Sequence, residues 1–497
     1  MMPENVGLLI VGAGFAGLGM AIRLLQAGFD SFLVIDKASE IGGTWWYNRY
    51  PGCACDIPSH LYSFSFARNP EWSRMYAGQE EILEYLKDCA RRYGVMSRVR
   101  LNTPLVEARW DEDRGMWRAV VGAGETIEAQ VLVSGMGALH VPRFPELKGM
   151  ERFRGPAFHS AEWNAAAKLE GRSVAVIGTG ASAAQIVPAI AGEAAQLYVF
   201  QRTPAWILPR PDQPISARAR RWFRRVPALT WLLRTFLFWN LDLRVYGFLK
   251  PGWLRRLGAK VARKHLARQV PDPKLREKLT PRYEFGCKRV LISSDFYPAL
   301  LRPNVELVTE AIAEVREYSI VTAGGRERPA DAIVYATGFR VTEMLGGTPV
   351  YGRGGLELHE AWRERIAAYL GITVSGFPNF FLLLGPNTGL GHNSVVLMIE
   401  AQIRYVMSCL ALLRKRGARA MDVRPERLRA FVEEIRARLR GTVWESGGCK
   451  SWYQDERTGE TPAVWPGSVR EYQRRTRKAS AEDYVFGKVP ISLAKNN

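Results

Sequence analysis

The chain reads as an α/β protein: two Rossmann-like dinucleotide-binding domains with an inserted helical subdomain. Three observations carry that reading. Gly12, Gly14 and Gly17 follow an apolar N-terminal run; Gly178, Gly180 and Ala183 repeat the pattern mid-chain; and a basic, aromatic stretch of helical spacing comes after the repeat. In each turn the first Gly allows a tight bend and the second lets backbone approach a pyrophosphate. The third small residue lets a helix pack on the strand, with the helix N-terminus facing negative charge.

Taken in order, Leu9 to Leu18 holds the first turn, Met20 to Leu25 has helical spacing, and Ser31 to Ile35 returns as a strand ending in Asp36. An acid 22 residues beyond Gly14 accepts from ribose hydroxyls and repels a 2′-phosphate, so the first site favours FAD or NAD. Glu80 to Tyr93 reads as a helix, and Val99 to Val106, Trp117 to Val121 and Gln130 to Ser134 as strands. The second site is built from the strand Ser173 to Ile177. The strand after it, Leu197 to Phe200, ends in Gln201 and Arg202, with no acid at its tip; a guanidinium suits a phosphate monoester, which favours NADPH.

The insert, about 206–284, carries much of the +20 net charge. Between Arg218 and Arg268 stand fourteen Lys and Arg against Asp242 alone, interleaved with large aromatics. Three readings stay open for these amphipathic helices: a helical subdomain with solvated arginines, a docking face for an anionic membrane surface, or nucleic-acid contact. No recognition motif accompanies the last, and nucleic acid is not an expected partner.

Val305 to Val308 and Asp331 to Phe339 complete the second fold as strands. From about 342 the chain is expected to return to the first fold, with Phe380 to Leu384 as a buried strand. The following Gly385, Gly389 and Gly391 suggest a backbone crossing close to a ligand. Gln402 to Leu413 and Leu428 to Leu439 read as helices, and Trp444 to Tyr453 with Trp465 as an aromatic tail. The expected division is 1–142 for the first domain, 143–341 for the second with its insert, and 342–497 for the return and C-terminal helices. No run of about 18 uncharged apolar residues suggests a spanning helix, and the approach to the first strand leaves no room for a signal peptide. The expected location is the cytoplasm, with membrane contact left open. Six cysteines are too scattered for a disulfide framework. The close pair Cys53 and Cys55 lacks His partners, so no metal site is expected, and it makes an unconvincing dithiol for a flavin disulfide reductase.

Phe153, Gly155, His159 and Trp163 match FxGxxxHxxxW between the two turns, with Asn164 where Pro or Asp usually follows. With these residues the chain resembles the Baeyer–Villiger monooxygenases among the class B flavoprotein monooxygenases. Ile41 to Asp56 (IGGTWWYNRYPGCACD) resembles that family's flavin loop, with Trp46 and Tyr47 in swapped order. Phe285 to Arg289 (FGCKR) resembles its active-site arginine motif, and DAIVYATGF and GPNTGLGHNS also occur in its relatives.

The resemblance implies FAD and NADPH as cofactors, dioxygen and a ketone as substrates, and an ester or lactone as product, by way of a flavin C4a-peroxide. It assigns to FAD the residues Gly12, Gly14, Phe15, Ala16, Gly17, Asp36, Thr44, Trp45, Trp46, Tyr47, Asp56, Tyr62 and Val106. To NADP it assigns Cys55, Asp56, Gly178, Thr179, Gly180, Ala181, Ser182, Gln201, Arg202, Lys288 and Arg289. Arg289 is the expected catalytic cation, because a guanidinium keeps its charge and donates in a fixed fork; Asp56 is the expected partner that holds it. His159 and Trp163 are expected to act as hinge and domain-interface elements. The same scaffold could instead oxygenate a sulfide or amine, where attack needs no arginine, or act as a flavin reductase for a partner. The aromatic insert hints at a lipophilic ketone.

Overall fold

The computed structural model describes residues 4–487. The first dinucleotide fold is an eight-stranded sheet. Its core pairs Glu4–Val11 in parallel with Phe32–Ile35 on one side and Glu125–Ser134 on the other, and Val99–Arg100 extends it beyond Phe32–Ile35. The meander Leu105–Asp111, Met116–Val121, Glu125–Ser134 is antiparallel, its one-face alternation filled by Trp110 and Trp117. Late in the chain Phe380–Leu382 joins in parallel beside Glu125–Ser134, and Val350–Tyr351 beside Leu105–Asp111.

The second fold is a five-stranded parallel sheet in the order Val305–Val308, Gln196–Phe200, Ser173–Ile177, Ala332–Tyr335, Ala157–His159. Its central strands are apolar on both faces, as burial under helices on each side requires.

The two folds repeat each other atom for atom at the turn. The amide of Gly12 donates to Ile35 O and that of Gly178 to Phe200 O; Gly135 N donates to Val11 O and Ala336 N to Ile177 O. Both first glycines have positive φ, +103° and +116°, and a Cβ there would meet the oxygen of Gly135 at 2.6 Å or of Ala336 at 2.4 Å. Only glycine fits either position.

The insert holds helices Ala217–Arg225, Pro227–Asp242, Tyr246–Leu249, Trp253–Gln269 and Pro273–Lys278. It is closed at its base by the parallel pair Ile207–Leu208 and Leu291–Ile292.

Several expectations are corrected. The run Val99 to Val106 is not one strand: residues 101–104 leave the sheet, Asn102 takes φ 51°, and the amides of Asn102 and Thr103 bond back to Ala38 O and Asp36 O. Pro104, which lacks an N–H, follows. Asp331 to Phe339 shortens to Ala332–Tyr335, and the helix expected from Gln402 spans Val395–Arg416. That helix is long and apolar enough to cross a membrane by length and composition, although Glu400 and Arg404 interrupt its apolar run, as the sequence reading required. It is a core element, with Val396, Met398, Ala401 and Val406 fully buried. Cys287 and Cys449 form a disulfide across 162 residues, also unforeseen.

Candidate active site

At the first turn the helix Phe15–Gln26 begins without a side-chain cap, so its leading amides are free for an anion. Gly17 abuts the turn so closely that a Cβ would lie 1.8 Å from Gly12 O. Gly14 and Gly43 face each other, and a Cβ on Gly43, at φ +56°, would come 2.9 Å from Gly14 Cα, so the loop Ile41–Tyr47 crosses the turn closely because Gly43 has no side chain. Asp36 is buried at the end of its strand. Oδ2 accepts from Ala13 N at 2.6 Å and Oδ1 from Ala38 N at 2.9 Å, which fixes the carboxylate while leaving lone pairs for ribose hydroxyls. Thr44–Tyr47 is one helical turn. Trp45 Nε1 donates to Tyr62 Oη at 3.3 Å, and the Tyr62 ring packs edge-on against Trp45 and Phe15. Burial, with Asp36 nearby, pushes the Tyr47 phenol up to about 12. The side chains of Phe15 and Ala16 belong to the core, and Val106 stands exposed on its strand. This cradle fits a dinucleotide with a free ribose edge.

The second helix, Ala181–Ile190, also starts uncapped, and nothing lies within 4 Å of a Cβ position on Gly180, so its phosphate side is open. Thr179 Oγ1 donates to Thr203 O, while the Gln201 amide is tied to Lys278 O at 2.8 Å, turned to the protein rather than outward. Arg202 is exposed; Lys288 is half-buried over the Tyr283 ring. Burial and then the nearby Arg202 lower the Lys288 pKa.

Between the cradles lies an ion pair. Arg289 Nη2 donates to Asp56 Oδ2 at 2.6 Å and Nε to the same oxygen at 2.9 Å, while Nη1 reaches Leu390 O at 3.4 Å. The Asp56 charge raises the Arg289 pKa against the opposing effect of burial. The loop holding Asp56 is fixed to the second fold by Gln185, whose Oε1 accepts from Tyr50 Oη at 3.0 Å and whose Nε2 donates to Ala54 O at 2.9 Å. A Cβ on Gly52, at φ +78°, would lie 2.7 Å from Gln185 O. Cys53 and Cys55 are unpaired, and burial pushes the Cys53 thiol up to about 12 and that of Cys55 higher still, the opposite of a redox-active thiolate. Among the described residues no group of three or more His, Cys, Asp or Glu could hold a metal ion.

The glycines of the loop 385–394 serve mainly the protein. A Cβ on Gly385 would meet Gly371 O at 2.4 Å and one on Gly389 would meet Ala463 O at 2.5 Å; Gly391 faces only side chains, those of Phe248, Trp444 and Tyr453. Sequence reasoning missed Tyr453, whose buried hydroxyl lacks a hydrogen-bond partner beside the Arg289 charge. It also missed Gln185, which only its place on the second turn's helix could have suggested.

His159 is buried with its ring edge-on to Phe144 at 5.6 Å and Phe339 at 5.5 Å. Those two residues sit on the paired segments where Arg143 N donates to Gly338 O and Pro142 bridges Phe339. Trp163 packs on Phe158. Gly155 is required because a Cβ would lie 2.2 Å from Asp331 O, with the Phe153 ring folded over it.

Two uncapped dinucleotide cradles with an arginine–aspartate pair between them define a pyridine-nucleotide-dependent flavoprotein oxidoreductase. A pyridine nucleotide-disulphide oxidoreductase family model matches residues 9–227. A Baeyer–Villiger monooxygenase of Pseudomonas aeruginosa is 45% identical over 487 residues, 98% of this chain and 92% of that protein. The structure of an oxidized steroid monooxygenase bound to NADP superposes with a TM-score of 0.87 at 30% identity, covering 98% of this chain and 100% of the other. That of OTEMO in complex with FAD and NADP gives 0.85 at 28%, covering 97% and 99%. The chain belongs to the Baeyer–Villiger monooxygenase family. It is an FAD-containing, NADPH-dependent monooxygenase that inserts one oxygen atom of dioxygen into a ketone.

Proposed function

We propose that Arg289 is the catalytic cation of this oxygenation, that Asp56 is its positioning partner, and that the ketone is lipophilic. Bound FAD supplies the reduced ring that meets dioxygen, and NADPH supplies the hydride. The chain's own part is electrostatic. A guanidinium clamped through two of its nitrogens to one carboxylate oxygen keeps its orientation and its charge, and so stabilises negative charge developing on the reacting oxygens. That doubly bonded pair is the observation that carries the reading. Attack on a sulfide or amine has no need of such a cation.

In this reading Gly12, Gly14, Phe15, Ala16 and Gly17 hold the flavin pyrophosphate with their backbone and Asp36 its ribose. Thr44 to Tyr47 and Tyr62 line the ring, and Val106 flanks the adenine end. Gly178 to Ser182 hold the second pyrophosphate; Arg202 and Lys288 take the 2′-phosphate beside Gln201, and Cys55 borders the nicotinamide. We assign 1–142 and 342–497 to the flavin domain and 143–341 to the NADPH domain with its insert, with His159 and Trp163 at the hinge. The aromatic insert supports a lipophilic substrate and contact with a membrane surface. A gas-chromatographic screen of linear, cyclic and aromatic ketones with holoenzyme and NADPH tests the proposal. Ester or lactone favouring the more lipophilic ketones is expected; conversion confined to sulfides or amines would refute it.

A further inference from the structure

The insert helix Pro227–Asp242 is apolar on its core side and carries a second apolar stripe on its outer side. Leu229, Leu232, Phe236, Trp239 and, in the turn that follows, Leu243 recur at steps of three and four, which places them on one stripe. All five are exposed, Phe236 at 64%. The opposite face is buried, with Thr230, Arg234 and Asp242 beside Leu241, and Leu237 and Phe238 packed against the core. Arg234 Nη1 donates to His60 O at 2.8 Å with Glu400 3.7 Å from Nη2, and Asp242 accepts from Val469 N at 2.8 Å with His392 Nε2 at 3.5 Å. These contacts lock the rotation of the helix, so the apolar stripe is held outward rather than left there by slack packing. An exposed contiguous apolar face on a protein of this size marks an interaction surface.

Charge selects the occupant. The insert's one acid between Arg218 and Arg268, Asp242, is buried and spent on the C-terminal segment, which leaves the exposed arginines of Ala217–Arg225 around the stripe without a local counter-charge except Glu71 on Arg224. A second copy would bring the same positive field against this one and be repelled. Apolar side chains flanked by arginine, with Trp222 and Trp231 also exposed, suit the boundary between headgroups and acyl chains. We propose that this helix lies on the surface of an anionic lipid bilayer, its stripe entering the interface and the neighbouring arginines meeting the headgroups. The proposal deepens the membrane contact suggested above and is independent of the chemistry at Arg289.

The test is co-sedimentation of FAD-loaded holoenzyme with vesicles of phosphatidylcholine alone and of phosphatidylcholine mixed with phosphatidylglycerol. Binding is expected to the mixed vesicles, to weaken as salt rises, and to fall about tenfold or more in a Leu232→Ser, Phe236→Ser double variant that no longer offers two apolar anchors. Both positions are exposed, so that variant should keep its fold and its turnover of a water-soluble ketone. Equal sedimentation of variant and parent, binding to neither vesicle, or a concentration-dependent dimer abolished by the double substitution would each overturn the proposal. Failure of the parent to oxidise any ketone would strike the functional reading and leave this one standing.

Discussion

Arg289 gives Nε and Nη2 to a single oxygen of Asp56, Oδ2, rather than spreading them over both. The guanidinium is thereby pinned at one edge, and Nη1, on the far side, makes only a long contact with Leu390 O. If Asp56 acts by holding Arg289, Asp56→Asn should keep FAD bound and lower ketone turnover by about 10- to 100-fold, the weight of one charge-assisted hydrogen bond. NADPH consumption should continue with less ester formed per equivalent. Loss of the flavin spectrum would instead assign Asp56 to cofactor binding.

Burial lowers the Lys288 pKa, and the charge of nearby Arg202 lowers it further, so the two cations stand close enough to share one anion. Arg202→Ala should raise KM for NADPH about 10- to 100-fold while leaving KM for NADH within about twofold. Steady-state kinetics with both coenzymes decide it; a parallel loss for both would place Arg202 away from the 2′-phosphate.

Burial lowers the pKa of His60, His140 and His159 to about 4. The neutral imidazole is the folded form, so the unfolded chain takes up protons first as pH falls. Stability is therefore full above about 6.5 and is lost progressively towards pH 4, by up to about 3 kcal/mol per group. The melting temperature should drop over that window, and His159→Phe, which keeps the aromatic contacts with Phe144 and Phe339, should shallow the slope. An unchanged slope would mean that His159 does not titrate with unfolding.

The disulfide gives a count. Denatured protein kept free of reductant should titrate four thiols, from Cys53, Cys55, Cys89 and Cys409, and six after reduction. Reduction should cost about 2–5 kcal/mol of stability. Six thiols without reductant would contradict the Cys287–Cys449 link.

The elements that the sequence made plain are those set by local pattern. Ser173–Ile177 and Val305–Val308 fall where the apolar runs put them, and both glycine turns precede a helix. What escaped depends on residues far apart in the chain. The Cys287–Cys449 and Gln185–Ala54 contacts span 162 and 131 residues, and no spacing rule reaches that distance. Helical spacing gave amphipathic helices in the insert but not which side of Pro227–Asp242 faces inward; the answer lies in the partners of Arg234 and Asp242. The glycines at 385 and 389 were legible as a close crossing, but the crossing is with the protein's own backbone.

Replacing the guanidinium tests the central claim most directly. In Arg289→Ala holoenzyme with intact flavin absorbance, ester formed per NADPH consumed should fall by at least about 100-fold, the effect of removing one fixed stabiliser of developing negative charge, with peroxide released into solution in its place. Ester formed at the wild-type ratio would contradict the role given to Arg289.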